Sequence, residues 1–298
     1  MNQKLAGKVV VITGASSGFG KGAALRFGQE GALLALAARR GDVLDGLVAE
    51  LEANGMEALS VPTDVSHQRE VEELGRVTVE KYGRIDVWVN NAGVGAIGAF
   101  EQIPLADHVK VIETNLLGTL YGSYFAYRQF LRQGDGVLIN IASELGRTTV
   151  PYYASYAAAK HGIVGLDDAL QQELDAAGRE DIHVCTVLPT ALDTPFFDHA
   201  ANYTGHETQA PKPLHDPEKV VKAIVDLARN PRNSEIVGGD GLVKVLLKKL
   251  APGLSRKAGA KQMHKNQMED APPAEPTSGA VRSPMREGTG VSGGRKEP

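Results

Sequence analysis

Apolar and polar positions alternate in blocks along roughly the first 240 residues. Six short, mostly apolar stretches, Val9–Thr13, Ala32–Ala38, Ala58–Pro62, Ile85–Val89, Gly136–Ala142 and Ile182–Leu188, are of strand length, and Val9–Thr13 is a continuous apolar run as far as Ile12. That pattern is expected of strands buried on both faces of a parallel sheet. The stretches between them carry apolar residues at helical spacing: one running through Leu25 and Phe27 to Gly31, then Val43–Asn54, Val71–Tyr82, a long segment Leu105–Arg132, and Ser155–Ala177. Pro217–Ala228 reads as a further helix and Ser234–Val237 as a last strand. Strand and helix in strict alternation predict an α/β fold, a single doubly wound parallel sheet with helices on both faces and right-handed crossovers.

Beyond Asp240 the character changes. Leu242, Val243, Val245, Leu246, Leu247 and Leu250 fall on one side of a short helix, with Lys244 and Lys248 opposite, before Pro252. Residues 241–268 contain seven Lys/Arg and no acid. From Pro272 onward, Gly, Pro and Ser dominate, which reads as disorder. The sequence thus divides into one α/β domain at 1–240, a basic amphipathic extension at 241–265 and a disordered tail at 266–298. The apolar stripe of the extension is expected to be buried against its own protein; the alternative, an anionic membrane surface, rests on the seven basic residues.

The chain has 298 residues, 42% of them hydrophobic, enough for one large core. Its net charge of −4 gives no footing for nucleic acid, although residues 244–298 carry +6 and leave −10 for the rest. Cys185 is the only cysteine and sits in an apolar strand, which excludes an intrachain disulfide and fits a reducing cytoplasm. The first residues lack the apolar run of a signal peptide, and no run approaches the ~18 residues of a membrane span.

Candidate chemistry clusters at the carboxyl ends of the predicted strands. Gly14-Ala15-Ser16-Ser17-Gly18-Phe19-Gly20 joins the first strand to the first helix, where glycines let the backbone approach a pyrophosphate and the helix terminus offers free N–H groups. This makes the sheet Rossmann-type. The second strand ends in Arg39-Arg40, where an NAD site usually carries an acid; guanidinium groups there would pair with a 2′-phosphate, so NADP(H) is favoured over NAD(H). Asp64, beside Val65, could accept from an adenine amino group or cap the following helix. Asn90-Asn91-Ala92-Gly93 closes the fourth strand, and Asn115 lies in an apolar stretch as either a hydrogen-bond hub or part of the site. Tyr156 and Lys160 are one helical turn apart, so an ammonium can stabilise a phenolate.

These motifs, in this order and spacing, resemble the short-chain dehydrogenase/reductase family, in its Tyr-x-x-x-Lys branch, over about residues 5–240. Thr13 to Gly20 matches the TGxxxGxG turn, Asn90 to Gly93 the NNAG motif, and Ser143 stands thirteen residues before Tyr156. The resemblance implies an NAD(P)-dependent oxidoreductase acting on an alcohol/carbonyl pair, with a tetrad of Asn115, Ser143, Tyr156 and Lys160. Tyr156 would move the proton, Ser143 would hold the carbonyl oxygen, Lys160 would lower the Tyr156 pKa and bind the nicotinamide ribose, and Asn115 would position a water. No metal is implied.

The resemblance also implies cofactor contacts at Pro189 and Thr194, with Thr190 standing where the family usually has glycine. Leu145, Tyr153 and Phe196 would join Ser143 and Tyr156 around an apolar small-molecule substrate, in a catalytic domain at 1–240 whose substrate lid falls at about 193–215. A homodimer or homotetramer is implied through the helices near 105–132 and 155–177. The alternative function is a catalytically idle dinucleotide sensor on the same fold; retention of all four tetrad residues favours the enzyme.

Overall fold

The computed structural model describes residues 5–239 and 252–295. The helix expected at 242–251 lies outside the described residues. Seven strands, β1 (Val9–Thr13), β2 (Leu33–Ala38), β3 (Ala58–Pro62), β4 (Val87–Asn90), β6 (Gly136–Ile141), β7 (Ile182–Pro189) and β9 (Ser234–Val237), form one parallel sheet in the order β3-β2-β1-β4-β6-β7-β9. A separate pair, β5 (Ala96–Ile97) and β8 (Ala201–Asn202), joins the β4 loop to the lid.

Because β1 is buried at every position, both faces of the sheet need cover. On one face, Phe27 of α1 (Gly18–Gln29), Leu44 and Leu51 of α2 (Gly41–Ala53) and Ile224 of α8 (Glu218–Arg229) pack on Val10 and Ile12. On the other, Leu74 of α3 (Gln68–Tyr82), Phe130 of α5 (Gly118–Gln133) and Leu174 of α6 (Ala154–Ala176) pack with Trp88 on Val11 and Leu138. The alternation of Val10 and Ile12 against Val11 is the two-residue period of a strand read from its two sides.

The chain builds β1, β2 and β3 outward in one direction, then returns to place β4 on the other flank of β1. The loops after β1 and β4 therefore diverge and leave a crevice at the carboxyl edge, the usual ligand position in open α/β sheets.

Two differences from the sequence reading bear on function. The segment expected as one helix from Leu105 to Arg132 is α4 (Leu105–Ile112), a π-helical turn Glu113–Leu117, and α5. The apolar spacing continues through the turn, so periodicity does not reveal it. In the tail, residues 252–295 lie on the domain. The helix α9 (Pro252–His264) and a π-turn (Lys265–Glu269) lead into irregular chain that bridges to the lid at Asn202–Thr277 and His206–Pro273. Its polar backbone is satisfied by the body, for instance His206 Nδ1 with Ala271 O at 2.8 Å and Gln267 Nε2 donating to Gln209 O at 2.6 Å. Composition alone carries no information about such partners.

Candidate active site

The crevice over β1 and β4 is a cavity of about 430 Å³. Gly14, Ser16, Ser17, Gly18, Phe19, Arg39, Arg40, Asp64, Val65, Asn91, Ala92, Gly93, Pro189, Thr190 and Thr194 line it, as do Asn115, Ser143, Tyr156 and Lys160, and Leu145, Tyr153 and Phe196. Gly20 does not; it packs beneath, where a side chain would meet Asn91 Nδ2 at 2.6 Å.

The floor is two loops pressed together. Thr13 Oγ1 accepts from the backbone N–H groups of Asn91 (3.0 Å) and Ala92 (3.2 Å), while Asn91 Nδ2 donates to the carbonyls of Thr13 (3.0 Å) and Gly14 (3.2 Å). Gly14 has φ +68, and a Cβ on it would stand 2.8 Å from Ala92 Cα, so only glycine serves. The result is a side-chain-free cradle at the start of α1. Four buried oxygens of residues on the cavity wall, Thr114 Oγ1, Asn115 Oδ1, Tyr153 Oη and Thr190 Oγ1, have no hydrogen-bond partner among the described residues. Buried polar atoms are rarely left so. Cradle and unpaired acceptors together fit a polar, phosphate-bearing ligand such as a nicotinamide dinucleotide.

Asn115 sits in the π-helical turn, a feature common at functional sites. Its Nδ2 donates to Val94 O and Val111 O, both at 2.8 Å, which ties the β4 loop to α4 and leaves Oδ1 toward Gly93. Asp64 Oδ1 accepts from Ser66 N (3.0 Å) and Ser66 Oγ (2.7 Å), so this carboxylate caps the turn into α3 while its residue borders the cavity. Thr190 finds room because residue 238, against which it packs, is glycine.

At the deep end, Ser143 Oγ accepts from Leu145 N at 3.1 Å and shares the cavity wall with Tyr156. Burial pushes the Tyr156 phenol up to about 12, offset partly by the Ser143 hydroxyl and reinforced by Glu144. Lys160 Nζ lies 5.5 Å from the centre of the Tyr156 ring and donates to Ile141 O at 2.7 Å. Burial pulls the Lys160 ammonium down to about 7, against the opposing attraction of Asp167. The expected lowering of the Tyr156 pKa by Lys160 is therefore not what this geometry produces: desolvation dominates both groups.

Asp167, two helical turns beyond Lys160 on α6, was not singled out in the sequence. It accepts from Asn140 Nδ2 (2.5 Å) and Thr186 Oγ1 (2.7 Å), and Asn140 Oδ1 in turn accepts from Asn90 Nδ2 (2.8 Å). This chain crosses β4, β6 and β7 under the site. The seven-residue spacing from Lys160, two turns on one face, was the signal available. Tyr152, with φ +71, is the one non-glycine residue in the left-handed region among those described, and its hydroxyl meets His264 Nδ1 at 2.5 Å.

The substrate end is apolar. Leu145, Val150, Tyr153 and Phe196 face Met263 of α9, and the Phe196 ring stands 5.4 Å from that of Tyr156. Among the described residues no cluster of His, Cys, Asp and Glu could hold a metal, and no helix is long and apolar enough to cross a membrane.

Known proteins resemble this arrangement in sequence and structure. The short chain dehydrogenase family model matches residues 8–203. The uncharacterized oxidoreductase YxnA of Bacillus subtilis is 30% identical over 272 residues, 91% of this chain and 76% of that one. The 3-oxoacyl-[acyl-carrier-protein] reductase FabG of Thermotoga maritima is 32% identical over 80% of this chain and 98% of its own. Among solved structures, a short chain dehydrogenase/reductase from Burkholderia phymatum in complex with NAD superposes with a TM-score of 0.77, at 26% identity over 85% of this chain and 97% of that one. An alcohol dehydrogenase from Thermococcus sibiricus, complexed with 5-hydroxy-NADP, gives 0.67 at 28% identity over 77% and 95%. With the parallel sheet, the glycine cradle and the Tyr156–Lys160 pair already in place, the extent of these matches means that the chain belongs to the short-chain dehydrogenase/reductase family and is an NAD(P)-binding oxidoreductase.

Proposed function

We propose that this protein transfers a hydride between NADP(H) and the alcohol/carbonyl pair of a small apolar substrate, with Asn115, Ser143, Tyr156 and Lys160 as its working residues. The observation that carries this reading is the convergence of Ser143, Tyr156 and Lys160 on one apolar cavity, with Lys160 Nζ 5.5 Å from the centre of the Tyr156 ring. A nicotinamide bound with its pyrophosphate at the Gly14–Gly20 cradle would supply the hydride. Gly93, Pro189, Thr190 and Thr194 are placed to hold its nicotinamide half, and Arg39, Arg40, Asp64 and Val65 its adenosine half.

A phenol pushed up to about 12 is neutral in the physiological range, so Tyr156 holds the proton it would give to a carbonyl oxygen in reduction. Ser143 would hold that oxygen in place. As the proton leaves, the nearby Lys160 cation would favour the phenolate, and the low polarity of the pocket would strengthen that attraction. Leu145, Tyr153, Phe196 and Met263 would exclude water and select apolar substrates.

Phe100, Leu105, Val109, Leu120 and Tyr124 are exposed along α4 and α5, which supports assembly into a homodimer or homotetramer through that face. The function is tested by following NADPH and NADH oxidation with a panel of apolar ketones. Turnover with a ketone, preferring NADPH and lost in Tyr156→Phe, is the expected result. Tight dinucleotide binding with no turnover of any carbonyl would instead favour the idle sensor.

A further inference from the structure

The adenosine end of the groove is bordered by residues far beyond the family-matched stretch. The tail from 279 to 295 runs back along the groove and pairs with its basic residues. Arg39 Nη2 donates to Ala280 O at 2.5 Å. Arg40 Nη1 donates to Met285 O and Glu287 O, both at 3.1 Å, while its Nη2 holds Ser16 Oγ and Ser17 Oγ at 3.0 Å. Ala280, Pro284 and Met285 share the cavity wall with Arg39 and Asp64. Farther on, Gly290 O accepts from Gly18 N (2.9 Å), and Asp193 takes Ser292 Oγ (2.6 Å) and Arg295 N (3.0 Å).

The two guanidinium groups therefore spend donors on neutral carbonyls of the chain itself. A phosphate would bond them more strongly, since charge-assisted bonds are roughly twice as strong as neutral ones. It must nevertheless displace the carbonyls first. A ribose with free hydroxyls makes no such demand. The Gly18 contact, by contrast, faces the cradle and bears equally on both dinucleotides.

We propose that residues 279–295 are a specificity-determining strap: seated, they occupy the Arg39 and Arg40 donors that a 2′-phosphate would use, and so narrow the preference for NADP(H) over NAD(H). This rests on the reading of Arg39 and Arg40 as the phosphate-binding pair. A strap seated about nine-tenths of the time lowers the apparent NADPH affinity about tenfold, whereas NADH, which needs only the Gly290 end lifted from Gly18, is weakened less.

The test uses the full-length protein. Gly279 (φ +48) and Gly288 (φ +67) lie outside the catalytic and cofactor residues. A side chain at 279 would run into the carbonyls of His199 and Ala200, and one at 288 into the His199 ring. Gly279→Val and Gly288→Val should each unseat the strap, and Ser292→Val should loosen it by losing the side-chain bond to Asp193, the Arg295 N–H bond remaining, while leaving the backbone free to fold. Dissociation constants for NADPH and NADH are read by fluorescence titration, with circular dichroism to establish folding. NADPH binding should tighten by up to about tenfold and that of NADH by clearly less, the part that release of Gly18 gives to both. Both cofactors loosening together would make the segment a mere wall, and both tightening by the same factor would make it a common plug; either result would overturn the proposal. So would an unchanged ratio in all three variants while Arg39→Asp still alters it. A ratio that ignores Arg39→Asp as well would bring down the phosphate reading, and the strap with it.

Discussion

Lys160 and Asp167 occupy the same face of α6, seven residues apart and both almost fully buried, and each tempers the cost of the other's charge. Burial lifts the Asp167 carboxyl from an ordinary 3.8 to about 7, against the bonds from Asn140 and Thr186 that favour its ionised form. The folded protein thus holds this proton more tightly than the unfolded chain. The stability it contributes is present below the ordinary carboxylate range and is lost as pH rises toward 7.

Asp167→Asn should flatten this slope. Denaturant midpoints of the cofactor-free protein between pH 4 and pH 7 should vary less in the variant than in the parent, where Asp167 makes stability fall toward neutrality. Lys160 acts in the opposite sense over a different window. With its pKa pulled down from 10.5 to about 7, it removes stability as pH falls from the alkaline range toward neutrality. Equal slopes for parent and variant below pH 7 would mean that Asp167 titrates as an ordinary surface acid.

Tyr156→Phe removes one oxygen and the transferable proton while keeping the ring that packs on Phe196. We expect kcat for a ketone substrate to fall by at least ~10²-fold. NADPH affinity and thermal midpoint should stay close to those of the parent. An unchanged kcat would remove Tyr156 from the reaction.

Arg39→Asp should reverse the dinucleotide preference, because a carboxylate repels a 2′-phosphate and accepts from free ribose hydroxyls. The measurement is the ratio of NADPH to NADH dissociation constants, with Arg39→Asp/Arg40→Ala expected to shift it further. Persistence of the parental ratio in both would place phosphate recognition elsewhere.

Met263 is the residue through which α9 closes the apolar end of the cavity. Met263→Ala should raise KM for an apolar ketone by about 10-fold, the scale of a few lost methylene contacts, with kcat nearly constant. A fall in kcat with constant KM would show that α9 positions the catalytic groups instead of the substrate.

The layout of the sheet was legible because the central strands β1 and β2 are apolar at nearly every position and the long helices on its faces carry apolar residues at helical spacing. The cradle was legible for a similar reason: Gly14, Asn91 and Gly93 belong to short motifs whose meaning lies in local backbone shape. Asp64 was half legible, since its partner Ser66 is only two residues away. What escaped reading depends on distance along the chain. The carbonyl partners of Arg39 and Arg40 lie more than 240 residues on, in a segment whose Gly, Pro and Ser content suggested disorder. The Asn90–Asn140–Asp167–Thr186 chain assembles from three strands and a helix, and beyond the seven-residue spacing of Asp167 from Lys160 no pattern within one element announces it.

The π-helical turn at Glu113–Leu117 has a consequence for how this chain tolerates changes of length. Loops usually absorb a lost residue and helix interiors do not. Here a π-turn carries one residue more than the α-helical register requires, so removing one could restore regular helix between α4 and α5 without breaking either. The faces of α4 and α5 would keep their alignment, while the residues of the turn itself would be re-aimed and Asn115 would lose its hold on Val94. The interior of this helix is thus a place where a shorter chain could still fold and yet no longer join the β4 loop to the site.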